Sequence, residues 1–145
     1  MRQFVDYLPH AKALGLSVAH AEPGIVSLTM PYAERLIGDP DSGIIHGGAV
    51  STLLDTCAGG AVVSHPKMNG AITATLDLRI DYMRPAVPQR AVVARAECYQ
   101  VTRSVAFVRA TAWTEGDEDR PIAMATGAFT ASRSAEPAIK PVAEG

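Results

Sequence analysis

The stretch from Gly43 to His65, GIIHGGAVSTLLDTCAGGAVVSH, constrains this chain more than any other. From Ala49 to Val63 nearly every residue is apolar or very small, the pattern of a helix with protein on most of its sides rather than one lying on a surface. Asp55 is the only charge within it. Asp is a mediocre helix former and is rarely buried without a partner or a task. Two readings follow: a polar residue that faces solvent, or a functional carboxylate at a cleft or subunit interface. The apolar neighbours Leu53, Leu54, Cys57 and Ala58 favour the second.

The entrance to this helix is the second feature. Gly47 and Gly48 carry no side chains, so the first turn can present backbone N–H groups at the positive end of the helix dipole. A carbonyl oxygen gaining negative charge suits that position. A Gly-Gly pair by itself serves a tight turn equally well. His46 and Asp55 stand nine residues apart, which on a helix is about two and a half turns and roughly 13 Å along the axis, on opposite faces. One helix therefore cannot bring its own glycine N–H groups and its own Asp55 onto one small substrate. Two copies packed antiparallel across a two-fold axis can, each glycine entrance meeting the partner's carboxylate.

Composition narrows the function classes. With 145 residues, 48% of them apolar, the chain is expected to form one domain over residues 1–133, with a flexible tail at 134–145. A net charge of −2 argues against nucleic acid as the main partner. The N-terminus MRQFVDYLPHAK is too polar for a secretory h-region, and no apolar run reaches membrane-spanning length, so a cytoplasmic protein with no membrane partner is expected. Cys57 and Cys98 read as buried free thiols. His10, His20, His46 and His65 are scattered without ligand spacing, and no metal is predicted.

In chain order, residues 1–13 predict a short amphipathic helical segment with Phe4, Val5, Leu8 and Ala11 on one stripe, interrupted at Pro9. Leu14 to Val18 reads as a short strand or turn, and Ile25–Met30 as a half-buried strand. Pro31 to Asp41 begins as a helical turn and runs into loop chemistry. His65-Pro66 stops the long helix. Ala71–Met83 then alternates Ile72, Ala74, Leu76, Leu78, Ile80 and Tyr82 against Thr73, Thr75, Asp77, Arg79 and Asp81, which predicts one long strand. Further strands are predicted at 89–101, 104–115 and 121–132. A curved antiparallel sheet of five to six strands, α+β in class, wrapped around one central helix follows, because only this helix is apolar enough to cover the sheet.

HGGAVSTLLDTCAGGAV, followed by TLDLRIDYMRPA, resembles the hot-dog fold acyl-coenzyme A thioesterases, in particular the phenylacetic-acid-degradation group, over roughly residues 14–132. The resemblance implies that Asp55 is the catalytic carboxylate, as nucleophile or as general base. It implies that Gly47, alone or with Gly48, supplies the N–H that polarises the thioester carbonyl, and that His46 helps to hold the thioester end or shapes the entrance. Thr75 falls where related enzymes place a Ser or Thr near the attacking water, and Gly43 matches a family glycine. The pattern departs at Pro40, where many relatives carry Asn or Gln, so that either Asp39 or Asp41 substitutes or the contact is absent.

The implied activity is hydrolysis of an acyl-CoA by a homodimer or dimer of dimers, without a cofactor. Arg84 and Arg103 are candidates for the CoA phosphates, with Arg79 and Arg90 behind them. Tyr82, Met83, Phe4 and Leu8 are expected at the acyl pocket or in the core. A non-catalytic acyl-CoA or small-ligand binding module and a hot-dog hydratase or dehydratase are the alternatives.

Overall fold

The structure, a computed structural model, describes residues 1–131. The predicted domain boundary at 133 and the tail at 134–145 lie outside the described residues. Two short helices, α1 (Arg2–Tyr7) and α2 (Pro9–Ala13), open the chain. They break at Leu8, whose extended backbone precedes Pro9, as a residue before proline prefers. Strands β1 (Ser17–Glu22) and β2 (Ile25–Met30) follow, then a small hairpin of β3 (Ile37–Asp39) and β4 (Ile44–Ile45). The long helix α3 spans Gly47–Ser64, and β5 (Thr75–Tyr82), β6 (Val92–Val101), β7 (Val105–Thr114) and β8 (Ala123–Thr130) complete the fold.

Among the described residues six strands form one sheet in the order β1-β2-β6-β7-β8-β5, every neighbour antiparallel. The expected sheet around a central helix is present, with β1 as the sixth strand. Sequence reading saw Leu14 to Val18 only as strand or turn because five of the six β1 residues are exposed, leaving no alternation to read. The β3–β4 hairpin, expected as turn and loop, is likewise too short for a period.

Helix α3 crosses the concave face and packs mainly on β6, β2 and β7. Leu53, Leu54, Cys57, Ala58, Ala61 and Val62 are fully buried beneath it. The buried strand residues are rich in alanine, with Ala94, Ala96, Ala106, Ala110, Ala112, Ala123 and Ala125 beside the larger Leu28, Met30, Val108 and Phe129. Small residues there let the sheet curve around the helix and let the two backbones come close. The Cys57 thiol donates to the Val26 carbonyl at 3.1 Å, and its burial pushes its pKa up to about 12. Neither cysteine forms a disulfide.

The long strand departs from the even alternation predicted for it. Residues Ala71 to Ala74 lie outside it, and within β5 the register slips: Thr75 faces Phe129 across the ladder, whereas Leu78 faces Gly127. Three steps on β5 match two on β8, a β-bulge at Leu76-Asp77. Strict alternation would have put Thr75 and Tyr82 on opposite faces of the sheet. With the bulge both point toward α3. Gly127 makes room for it, since a Cβ there would sit 2.5 Å from the Asp77 carbonyl oxygen.

Candidate active site

The N-terminus of α3 is held by two side chains. His46 is the N-cap, and its imidazole Nδ1 accepts the Gly48 N–H at 2.7 Å. That engagement takes Gly48 out of the pool of free donors that the Gly-Gly sequence had offered. The Gly47 N–H has no acceptor among the described residues, and Gly47 is exposed. Tyr82, from the far end of β5, donates its hydroxyl to the Gly47 carbonyl at 2.9 Å. Its ring lies against Gly47, 3.6–3.9 Å from where a Cβ would stand. An N–H at the positive end of an 18-residue helix, pinned on both sides and lacking a partner, is a donor waiting for an oxygen.

Two turns along, half-buried Asp55 accepts the Thr75 hydroxyl on Oδ1 at 2.7 Å. Its Oδ2 has no donor among the described residues. The pair opens onto a cavity of about 400 Å³, walled by Phe4, Leu8, Gly59, Val63, Ile72 and Phe129. Apart from the carboxylate no charged side chain lines it. A carboxylate with one oxygen oriented by a hydroxyl and the other free can take a proton from water or attack an electrophile.

The two parts do not meet within one chain. Gly47 and Asp55 are eight residues apart on α3, about 12 Å along its axis, too far to act on one carbonyl carbon. The basic candidates are also apart: Arg84 follows β5 at one end of the sheet, while Arg103 sits in the β6–β7 turn at the other. The length of β7, roughly 30 Å, separates those ends. Neither has a carboxylate partner among the described residues, whereas Arg79 pairs with Asp81 and Arg90 with Asp117. Near Pro40, Asp39 is occupied by its own turn, accepting the Ser42 hydroxyl at 2.5 Å and the Asp41 N–H at 3.1 Å. The Ser42 hydroxyl, then the Asp41 N–H, holds the Asp39 pKa below the usual carboxylate value. Among the described residues no group of three or more His, Cys, Asp or Glu gathers as a metal site.

A larger groove of about 520 Å³ lies on the outer face of the sheet, between Arg95, Glu97, Arg109 and Trp113. It contains none of the predicted site residues. It is a trough between strand side chains, with Glu97 and Arg109 ion-paired at 3.2 Å, and no helix terminus opens into it.

Sequence reasoning missed the job of Tyr82, which alternation showed only as an apolar-face residue. Its contact with Gly47 depends on a bulge that no local pattern announces.

Comparison with known proteins agrees with this fold. The profile of the thioesterase superfamily matches residues 42–120. A crystal structure of a Pseudomonas aeruginosa protein is 45% identical, with a TM-score of 0.78 over 89% of this chain and 94% of its own. The phenylacetic acid degradation protein PaaI from Thermus thermophilus, in a single-residue mutant, is 28% identical with a TM-score of 0.73, over 85% and 98% of the two chains. The medium/long-chain acyl-CoA thioesterase YigI of Escherichia coli is 27% identical over 87% of each chain. A long buried helix packed in a curved antiparallel sheet is the fold these proteins share, and the chain is a member of the thioesterase superfamily, with the hot-dog fold.

Proposed function

We propose that this protein hydrolyses acyl-CoA thioesters at a site shared by two copies of the chain. The Asp55–Thr75 pair, facing an apolar cavity while the free Gly47 N–H lies about 12 Å away on the same helix, carries the reading. Antiparallel packing of two α3 helices brings each Gly47 to the partner's Asp55. The thioester carbonyl oxygen then accepts the Gly47 N–H, and the helix dipole favours the charge it gains. His46 keeps Gly48 in place, so Gly48 aligns the entrance and Gly47 alone donates.

In the general-base form, Asp55 takes a proton as water oxygen bonds to the carbonyl carbon. The C–S bond breaks, the sulfur leaves with the electron pair, and the proton passes on to the CoA thiolate. In the nucleophilic form the carboxylate itself makes the first bond, and water then opens the resulting anhydride. Both need little acid assistance because a thiolate is a good leaving group. One removed oxyanion donor costs about 10²–10³ in turnover and a base contributes about 10²–10⁴, so donor plus carboxylate is a sufficient kit. Arg84 of one subunit and Arg103 of the other are the candidates for the CoA phosphates, since no single chain brings both together. The two buried free thiols fit a reducing, cytoplasmic setting.

Thiol release from a panel of acyl-CoA esters, read with a thiol-reactive dye, tests this. Asp55→Asn should lower kcat by about 10²–10⁴ while circular dichroism stays unchanged. Undiminished release would remove Asp55 from the mechanism. Binding without release in the wild type would leave the binding-module reading, and light scattering showing a monomer would dismantle the shared site.

A further inference from the structure

We propose that the acyl chain runs from Asp55 along the open face of α3, over Gly59 to Val63, beneath Phe4 and Leu8, and that Gly59 sets the length of chain accepted. This rests on the thioesterase reading above and adds the substrate class: unbranched apolar acyl groups of medium length.

Asp55, Gly59 and Val63 follow one another at intervals of four, so they lie along one face of the helix and line the same cavity. Glycine inside a helix is about 1 kcal/mol worse than alanine, so its presence needs a reason. The two usual reasons are missing at Gly59. Its backbone φ is not positive. Nor is it crowded, for an added Cβ would meet a single atom, Phe129 Cε1, at 3.8 Å, an ordinary contact. Its neighbour Gly60 is different: a Cβ there would touch Met1 Sδ at 3.5 Å, Val26 Cγ1 at 3.6 Å and Phe4 Cε1 at 3.7 Å, hemmed in by packing. Close packing accounts for Gly60. Gly59 is buried yet lines the cavity beside the catalytic carboxylate, so a side chain placed there takes up room that the cavity now has.

The lining decides what fills it. The Thr73 and Thr75 hydroxyls on its wall already donate to the Thr130 carbonyl and to Asp55, and Thr56 adjoins Asp55, whereas Phe4, Leu8, Val63, Ile72 and Phe129 offer no polar group, so the ligand portion that runs along them is hydrocarbon. The helix supplies a ruler. Gly59 lies about 6 Å and Val63 about 12 Å beyond Asp55 along the axis. An extended alkyl chain advances roughly 1.3 Å per carbon, the projection of a C–C bond of about 1.5 Å. Some five carbons reach Gly59 and about nine reach Val63, which places the preferred acyl group at about eight to ten carbons.

The test is kcat/KM across straight-chain acyl-CoA esters of two to twelve carbons, for wild type, Gly59→Ala, Gly59→Leu and Phe4→Ala. Wild type should gain about fourfold per added methylene up to about ten carbons, then level off. In Gly59→Leu the gain should stop near six carbons, so that the loss grows with length and exceeds about 50-fold at ten. Gly59→Ala is helix-favouring and adds one methyl, so it should fold and shift the limit in the same direction by a smaller step. Phe4→Ala, opening the wall, should extend it. Identical length profiles in wild type, Gly59→Ala and Gly59→Leu would overturn the assignment of Gly59 while leaving thioester hydrolysis standing. Absence of thiol release by wild type from every ester would overturn both readings.

Discussion

The two faces of α3 are made from the same small palette and do opposite work. Toward the sheet stand Leu53, Leu54, Cys57, Ala58, Ala61 and Val62, all fully buried. Away from it stand Ser51, Thr52, Asp55, Thr56 and Val63, each only partly covered, with Gly59 between them. On the first face a residue matters for its volume, since it is packed among buried side chains and a change of even one methylene is felt. On the second a residue matters for its chemistry or for the room it leaves. A run of small and apolar letters thus conceals a covered side and an open side, and Ser51, Thr52, Asp55 and Thr56 mark the second.

Substitutions of adjacent residues should separate the two faces cleanly. Asp55→Asn has the larger effect, a loss of about 10²–10⁴ in kcat, or about 3–5 kcal/mol of transition-state stabilisation, with the unfolding midpoint nearly unmoved. Leu54→Ala, one residue earlier on the buried face, should cost about 2–5 kcal/mol of stability by urea denaturation. Activity per folded molecule should stay within about threefold of wild type, a small barrier change. If Leu54→Ala instead abolished activity without destabilising the protein, the division into faces would be wrong.

That division explains what the sequence could and could not reveal. The limits of α3 were legible because Gly47 and Pro66 punctuate a long apolar run, and β6, β7 and β8 because their buried faces alternate. Strand β1 was not, being exposed along nearly its whole length. The bulge in β5 was the costliest omission. Thr75 and Tyr82 differ in parity, so alternation sends one to each face, whereas the structure gives both to α3, one at Asp55 and one at Gly47. Thr75 was reached only by resemblance, and Tyr82 was read as a core or pocket residue. The signal that accompanies the bulge, Gly127, sits on another strand and becomes meaningful only when the two strands are paired. The same holds for Gly48, whose N–H looks free in a Gly-Gly string until His46 is seen to fold back on it.

Gly127 therefore extends the comparison from the helix to the strand beside it. Gly127→Ala would drive a methyl to within 2.5 Å of the Asp77 carbonyl, so the bulge must shift and with it the aim of Thr75. We expect about a tenfold fall in kcat, about 1.4 kcal/mol, with KM little altered. Thr75→Ala should produce a loss of the same order, and the double variant should lose little more than either, since both break one link. Losses that multiply would show that Gly127 acts only on stability and not through Thr75.

The smallest effect belongs to the other end of β5. Tyr82→Phe removes the hydroxyl that the Gly47 carbonyl accepts at 2.9 Å but keeps the ring packed on Gly47. A neutral hydrogen bond of this kind contributes about 0.5–1.5 kcal/mol, so kcat should fall about two- to tenfold. Tyr82 is 54% exposed, and the freed carbonyl can turn to water, so stability should change less than kcat does. Tyr82→Ala, which also withdraws the ring from Gly47, should lower kcat further. Equal kcat in wild type and Tyr82→Phe would mean that the His46 cap alone suffices to aim the Gly47 N–H, and β5 would then serve the site only through Thr75.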